Sequence, residues 1–398
     1  MHSAKPRETP RPARSFREQL LPGWHRAVLK VGSSLLAGDG GGLSPKHVLG
    51  LAQFIASSHA EGREIVLVSS GAVTAGRMLL DRRAGTDASQ AASQAMAALG
   101  QTQTIALWQR LFDRPLAQVL LTHDDMRDRR RYLNARATLQ ELLRHDVLPV
   151  VNENDTVAVD ELTLGDNDNL AAIVAALVGA DLLLIATDID GLYSANPKEY
   201  PDAEPIDEVV ELTPDILAAA GAAGSVHGTG GMRTKLEAAR KAAAAGIDTI
   251  LFNGRDADVA RLLSHGRFRG TRLRSTQTKL QERQYWLRHM PAVPGCIRID
   301  SDAAQALDGD GASLLPRGVV GAEGGFQRGD MVEIVNADDS LCIARGIAQY
   351  GAVEINVIHG CRTDEIVARL GYSYGDAVVQ RDDLVTVVDR HQPLGAQR

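Results

Sequence analysis

An α/β chain in two parts is what this sequence predicts: a three-layer αβα sandwich around a mainly parallel sheet, then a small mostly-β domain. Three observations carry that prediction. Between residues 26 and about 274, short apolar runs alternate with helical patterns, and the runs are almost continuously apolar, as in strands covered on both faces. From Thr276 to Pro291 the pattern turns polar and ends at Pro291 and Pro294. Beyond it, short segments are punctuated by Gly295, Gly309, Gly311, Gly318, Gly321, Gly324, Gly325 and Gly329, the spacing of a compact barrel.

In chain order, Ala27–Val31 is a short apolar strand, Val48 to Ser58 is helical, and Glu64–Val68 is a second strand. Ala91 to Phe112 is a long Ala-rich helix, followed by strands at Leu116–Leu121 and Val147–Val151. Leu170 to Val178 is an apolar helix, Asp181–Ala186 a strand, and Asp248–Phe252 closes the set. Strands at Met331–Val335, Cys342–Arg345 and Leu384–Val388 belong to the second part. The domains expected are therefore a disordered extension over 1–23, an α/β domain over 24–275, a linker over 276–291, a β domain over 292–390 and a tail over 391–398.

Composition narrows the class. A chain of 398 residues with 44% apolar content is long enough for two or three domains. No apolar stretch approaches the ~20 residues of a membrane span. The first 23 residues carry four arginines among prolines and no apolar core, which excludes a secretory signal. Cys296, Cys342 and Cys361 are odd in number and lack metal-ligand spacing, so reduced thiols and a cytoplasmic location are expected. Charge is uneven. Residues 292–398 hold nine Arg, no Lys and sixteen Asp plus Glu, a net −7 that equals the −7 of the whole chain, so the remainder is balanced.

Two polar clusters stand at the ends of apolar runs. Asn152-Glu153-Asn154-Asp155 closes one strand, and Gly165-Asp166-Asn167-Asp168-Asn169 opens the helix after it. Each alone reads equally well as a turn with Asx caps. Together, at a strand end, they suit a zwitterionic amino acid or a magnesium-bound phosphate, because Asn and Asp supply donors and acceptors side by side. Three Gly-rich loops offer anions amides and cations: Lys30-Val31-Gly32-Ser33-Ser34, Ser69-Ser70-Gly71-Ala72, and Gly228-Thr229-Gly230-Gly231-Met232-Arg233-Thr234-Lys235. None is a Walker loop; Gly71-x4-Gly76-Arg77-Met78 lacks the Lys and hydroxyl that grip phosphate. The segment Ala186 to Tyr193, with Thr187 and Asp188, is a fourth polar edge.

These motifs, in this order, resemble the amino acid kinase family. Asn-Glu-Asn-Asp, Gly-Asp-Asn-Asp-Asn and Gly-Thr-Gly-Gly-Met-x-Thr-Lys are similar to the wording of its members that phosphorylate L-glutamate. Asp300, Ser313-Leu314-Leu315-Pro316, Phe326-x-Arg328-Gly329-Asp330, Gly346 and Tyr350 resemble a PUA domain. The resemblance covers roughly residues 24 to 388. It implies the amino acid kinase fold, ATP as co-substrate with Mg²⁺, and transfer to the γ-carboxylate of L-glutamate. It also implies roles. Lys30, Lys235 and Asp168 would be catalytic, with Asp168 organising the two lysines or a magnesium-bound water. Ser70, Asp155 and Asn167 would hold glutamate. Lys30, Thr187, Asp188, Thr229, Gly230, Gly231, Met232, Arg233, Thr234 and Lys235 would hold ATP. No general base is needed, since a carboxylate acceptor is ionised at neutral pH, so His145 and His227 read as structural. L-proline is the expected feedback inhibitor and a homo-oligomer, dimer or tetramer, the expected assembly. Within the same fold, aspartate, N-acetylglutamate, carbamate and nucleoside monophosphates are alternative acceptors. Asp155 argues against a nucleotide, whose phosphate it would repel. PUA domains also occur in RNA-modifying proteins, but a −7 domain without lysine is poorly suited to phosphate contacts.

Overall fold

The computed structural model describes residues 15–38, 42–79, 89–122, 125–126, 128–158, 167–197, 199–200, 202–213, 216, 231–275, 295–309 and 312–386. The chain divides into two compact units, Met1–Lys279 and Leu280–Arg398. Among the described residues, no helix is long and apolar enough to cross a membrane.

The first unit runs β1 (Glu18–Leu20), β2 (Arg26–Val31), α1 (Ser33–Leu36), α2 (Leu49–Ala60), β3 (Glu64–Ser69), α3 (Ala72–Leu79), α4 (Gln90–Gln109) and β4 (Leu116–Leu121). It continues through α5 (Arg129–Arg144), β5 (Leu148–Glu153), α6 (Asn167–Val178), β6 (Leu182–Thr187) and β7 (Glu208–Val209). Last come α7 (Met232–Ala244), β8 (Asp248–Asn253), α8 (Val259–Ser264) and β9 (Arg267–Leu273). The sheet order is β1-β9-β8-β6-β2-β3-β5-β4, with β7 also on β9. The span from β8 to β4 is parallel, while β9 pairs antiparallel with β8 and β1.

Alternate strand residues face opposite layers, so a doubly buried strand must be apolar throughout. Val28, Val66, Val68 and Ile185 pack beneath α5, α6 and α7, against Leu139, Leu170, Val174 and Leu236. Ala27, Leu29, Ile65 and Leu67 pack on the other side against Leu51, Phe54 and Ile55 of α2, Trp108 of α4 and Leu263 of α8. The sandwich is thus the three-layer one expected. Strand order reverses at β2, whose neighbours are β3 and β6. Chain direction on either side of it opens a crevice beyond the carboxyl ends of β2 and β6, where such sheets bind ligands.

Two expectations are corrected. The N-terminal extension is not featureless to residue 23. Phe16 is buried, its ring meets Tyr193 edge-on at 5.0 Å, and Glu18–Leu20 add an edge strand to β9. A three-residue strand has too short a period to be read from sequence; the unpaired edge of β9 selects it. Residues 1–14 lie outside the described residues, as do the expected linker and tail. The second correction concerns Asn152 and Glu153, which are not loop residues but the last two positions of β5. They pair with Leu120 and Leu121 of β4 and are buried. The ladder overrides the turn preference of Asn.

The second unit is built on β10 (Gly295–Ile299), β11 (Val319–Gly324), β12 (Met331–Asn336), β13 (Cys342–Ile347) and β14 (Leu384–Thr386), ordered β11-β10-β12-β13-β14. Three short helices, α9 (Ser301–Gly309), α10 (Ala352–Ile358) and α11 (Ile366–Leu370), accompany this smaller sheet. Its own core includes Ile297, Ile299, Val332, Ile334, Ile355 and Tyr350, whose hydroxyl donates to the Gly375 carbonyl at 2.6 Å. Arg328 lies over the Tyr374 ring, 4.0 Å from its centroid, and burial pushes its pKa below the usual arginine range.

Candidate active site

The centre of the first unit is one carboxylate between two ammonium groups. Lys30 comes from the end of β2, Asp168 from the first turn of α6, and Lys235 from the first turn of α7. Lys30 Nζ is 2.6 Å from Asp168 Oδ1, and Lys235 Nζ donates to Asp168 Oδ2 at 3.0 Å. Thr234 Oγ1 donates to the Gly231 carbonyl at 2.8 Å and lies 3.3 Å from the same Oδ2, so its one proton serves either oxygen but not both fully. The Asp168 side chain is 0% exposed, and those of Lys30 and Lys235 are 7% and 6% exposed. Burial, the largest single influence on Asp168, pushes its carboxyl upward. The two ammonium groups outweigh it and hold the carboxyl below its usual range.

The three charges sum to one buried positive charge. Burying charge is costly unless it is compensated. Lys235 also stands at the positive end of its helix dipole, where a cation is disfavoured and an anion welcome. Asp168 is shared by both cations and offsets the charge of one. The centre is built to receive negative charge, and Gly32 and Gly231 lie beside it with no side chain to obstruct. A Cβ at position 32 would stand 3.8 Å from Lys30 Nζ, and one at 231 would meet nothing within 4 Å.

A second group lies across the ends of β3 and β5. Asn167 Nδ2 donates to Ser70 Oγ at 2.8 Å and to Asn152 Oδ1 at 2.8 Å. Gly71 follows Ser70 with φ +105, a conformation that favours glycine and turns the chain sharply from β3 into α3. Asp155 lies three residues beyond Asn152 in a turn closed by the Val157 and Ala158 amides, both donating to the Asn154 carbonyl at 3.1 Å. It is half-buried, and burial raises its carboxyl above the usual range, partly opposed by its own backbone amide. No cation is paired with it among the described residues. An ammonium group placed there would meet a carboxylate whose charge is not yet matched.

Thr187 ends β6 beside the Lys30 loop: the Gly32 amide donates to the Ala186 carbonyl at 3.3 Å. Thr187 Oγ1 donates to Asp188 Oδ1 at 3.3 Å, and Asp188 is exposed. Both stand at the crevice where strand order reverses. Met232 is buried under α7, whereas Arg233 is exposed and donates to Glu237 of its own helix at 3.0 Å. Thr229, Gly230, Gly165, Asp166 and His227 lie outside the described residues. His145 caps α5 on the exposed surface, 2.9 Å from Glu141.

The structure therefore brings Lys30, Asp168, Thr234 and Lys235 to one point, and Ser70 and Asn167 to another. Sequence reading missed Asn152 as the bridge between the polar clusters, although it stood inside a quoted motif. It also missed the side chains of α4 that bond the ends of β3 and β5 and the turn after β5. Their signal was present as Gln90, Gln94, Gln101 and Trp108, recurring on one face of an otherwise Ala-rich helix.

Residues 25–253 match the model of the amino acid kinase family, and residues 295–370 match that of the PUA domain. A protein of Xanthomonas axonopodis pv. citri (strain 306), named glutamate 5-kinase, is 65% identical over 363 residues, covering 90% of this chain and 100% of its own. A protein of the same name from Xylella fastidiosa (strain M12) is 62% identical over 379 residues, covering 94% and 98%.

Proposed function

The chain belongs to the amino acid kinase family, and from that premise we propose that it is an ATP-dependent kinase of L-glutamate, moving the γ-phosphoryl group of ATP to the γ-carboxylate. The products are L-glutamyl 5-phosphate and ADP, the first step of proline synthesis from glutamate. The observation that carries this reading is the buried Lys30–Asp168–Lys235 centre, with Asn167, the residue before Asp168, bonded to Ser70.

Phosphoryl transfer requires little covalent help from the protein; it requires alignment and neutralisation of charge. Lys30 and Lys235 face the transferring group, and Asp168 holds the two ammonium groups together against their mutual repulsion. Thr234 steadies the same carboxylate. Thr187, Asp188 and the segment Thr229 to Lys235 hold ATP across the β2–β6 crevice. Ser70 and Asn167 bind the carboxyl groups of glutamate, and Asp155 takes its α-ammonium. The acceptor oxygen is already ionised, so no base is invoked.

Mg²⁺ belongs to the proposal as the partner of the ATP phosphates. Among the described residues no group of three or more His, Cys, Asp or Glu side chains is arranged to hold a metal ion. The residues fit an ion delivered with the nucleotide and held mainly by phosphate and water, the usual habit of Mg²⁺. Its chemistry there is to neutralise β- and γ-phosphate charge. L-Proline as feedback inhibitor near the glutamate pocket, a homo-oligomer of two or four chains, and work in the cytoplasm complete the reading; these rest on family resemblance.

Glutamyl phosphate is a reactive acyl phosphate, so hydroxylamine traps it. The expected result is glutamyl hydroxamate formed only when ATP, Mg²⁺ and L-glutamate are all present. Equal turnover of N-acetylglutamate or a nucleoside monophosphate would overturn the assignment.

A further inference from the structure

We propose that helix α4 sets the dimensions of the acceptor pocket, with Gln94 and Gln101 as positioning residues for the loop that bears Asp155. This rests on the reading of that pocket as the L-glutamate site.

One face of α4 presents residues 90, 94, 97, 101, 104 and 108, spaced by three or four. Ala97 and Thr104 are buried packing positions; of the other four, Trp108 and Gln101 donate to the ends of β3 and β5, and Gln90 and Gln94 to the turn after β5. Trp108 Nε1 donates to Ser69 Oγ at 2.8 Å, one residue before Ser70. Gln101 Nε2 donates to the Glu153 carbonyl at 3.3 Å, while its Oε1 accepts from Gln118 Nε2 at 3.2 Å, which fixes the orientation of the amide. Gln94 and Gln90 both donate to the Ala158 carbonyl, at 3.1 and 3.4 Å. Glu153 and Ala158 bracket Asp155. One helix therefore holds both sides of the pocket: Ser70 through its neighbour, and Asp155 through both ends of its turn.

A buried amide costs free energy unless its hydrogen bonds are made, and an Ala-rich helix packs its buried face more cheaply with aliphatic residues. Gln101 is buried, and its Nε2 donates to the backbone that leads into Asp155. The helix that carries these donors is itself held rigidly. A Cβ at Gly100 would come within 1.7 Å of the Ala72 carbonyl oxygen, and one at Gly76 within 1.8 Å of that of Met96. Backbone meets backbone between α3 and α4, and α3 starts two residues after Ser70. The separation of Ser70 from Asp155 is thereby set by a rigid rail and not by the loops themselves. That separation decides which acceptor length fits, L-glutamate or the one-methylene-shorter L-aspartate.

The test uses the full-length chain with Gln94→Met, Gln101→Met and the double variant. KM for L-glutamate, KM for ATP, and hydroxamate yield from L-glutamate and L-aspartate are measured beside Tm. The double variant should raise the glutamate KM about tenfold, the scale of the two hydrogen bonds lost to the segment around Asp155, with the ATP KM unchanged. The preference for glutamate over aspartate in kcat/KM should fall. A glutamate KM equal to wild type, or equal rises in both KM values, overturns the proposal. Should the buried Gln101 variant fail to fold, Gln94→Met, at a half-buried position, decides it: wild-type glutamate KM at wild-type Tm overturns the proposal. A wild-type chain that forms no glutamyl hydroxamate defeats the glutamate reading itself, a result separate from any variant.

Discussion

At the scale of single residues, charge burial separates the side chains that act on the transition state from those that hold the ground state. Lys30 and Lys235 lie against Asp168 in a buried site, where charges interact more strongly than they do in water. Lys235→Ala and Lys30→Ala should each lower kcat by about 10²-fold or more, with smaller effects on either KM; steady-state kinetics checks this. Asp155 behaves differently because it faces substrate and not the reacting bond. Asp155→Asn should chiefly raise the glutamate KM. Burial raises the Asp155 carboxyl, so it takes up a proton at higher pH than an ordinary aspartate. In wild type the glutamate KM should climb as pH falls through that raised value; in Asp155→Asn that rise should be missing, leaving only the change due to protonation of the carboxyl groups of glutamate itself. The sign for stability follows from the same shift. Below about pH 3.9, the ordinary aspartate value, the carboxyl is protonated in both folded and unfolded chains and the folded state keeps the full benefit. As pH rises through the folded value that benefit is lost. Asp155→Asn should therefore have the higher Tm at pH 7, an advantage that disappears in acid; thermal melts across pH test it.

At the scale of elements, the site is a meeting of ends. Carboxyl ends of β2, β3, β5 and β6 converge with the N-termini of α6 and α7, and the helix that governs their spacing is α4. Its close approach to α3 leaves no room for a methyl group at residue 100. Gly100→Ala should destabilise the protein by more than the ~1–3 kcal/mol usual for overpacking, since the obstacle is backbone oxygen and not a movable side chain. Any folded fraction should bind glutamate weakly, because α3 and α4 move apart beneath Ser70. Chemical denaturation with a parallel glutamate titration checks both. A Gly100→Ala chain with wild-type stability would mean that the two helices are less closely packed than described.

At the scale of the molecule, two units with separate cores share one chain, and every proposed catalytic or binding residue lies in the first. A chain ending near Met290 should fold and retain kinase activity, with changes confined to its response to L-proline or Mg²⁺ or to its assembly. Activity assays and sedimentation test this, and total inactivity in a folded truncation would contradict it. The second unit should not bind RNA. Residues 292–398 hold nine arginines against sixteen carboxylates, and several of the arginines are engaged locally: Arg298 with Glu323, Arg362 with Asp364, and Arg328 over Tyr374. Phosphate contacts require free cations. Salt-sensitive submicromolar binding of structured RNA by residues 292–398 would refute the prediction.

The layer order, the strand positions and the pairing of two polar clusters near one site were legible in the sequence, because each is a local pattern. Short continuous apolar runs between turn signals suit doubly covered strands, and Asn-Asp clusters at their ends suit turns or ligand groups. Lys30, Asp168 and Lys235 were legible as candidates for the same reason, through glycine-flanked motifs at element ends. Their union was not, because residues 30, 168 and 235 meet only where β2, α6 and α7 converge. The edge strand at Glu18–Leu20 and the inclusion of Asn152 and Glu153 in β5 depended on partners far along the chain. So did the role of α4, whose glutamines look like solvent-facing residues until the Glu153 and Ala158 carbonyls they bond are brought beneath them. Periodicity fixes what each segment becomes; which donor reaches which carbonyl is decided by packing, since hydrogen bonds across layers join residues that share no local pattern.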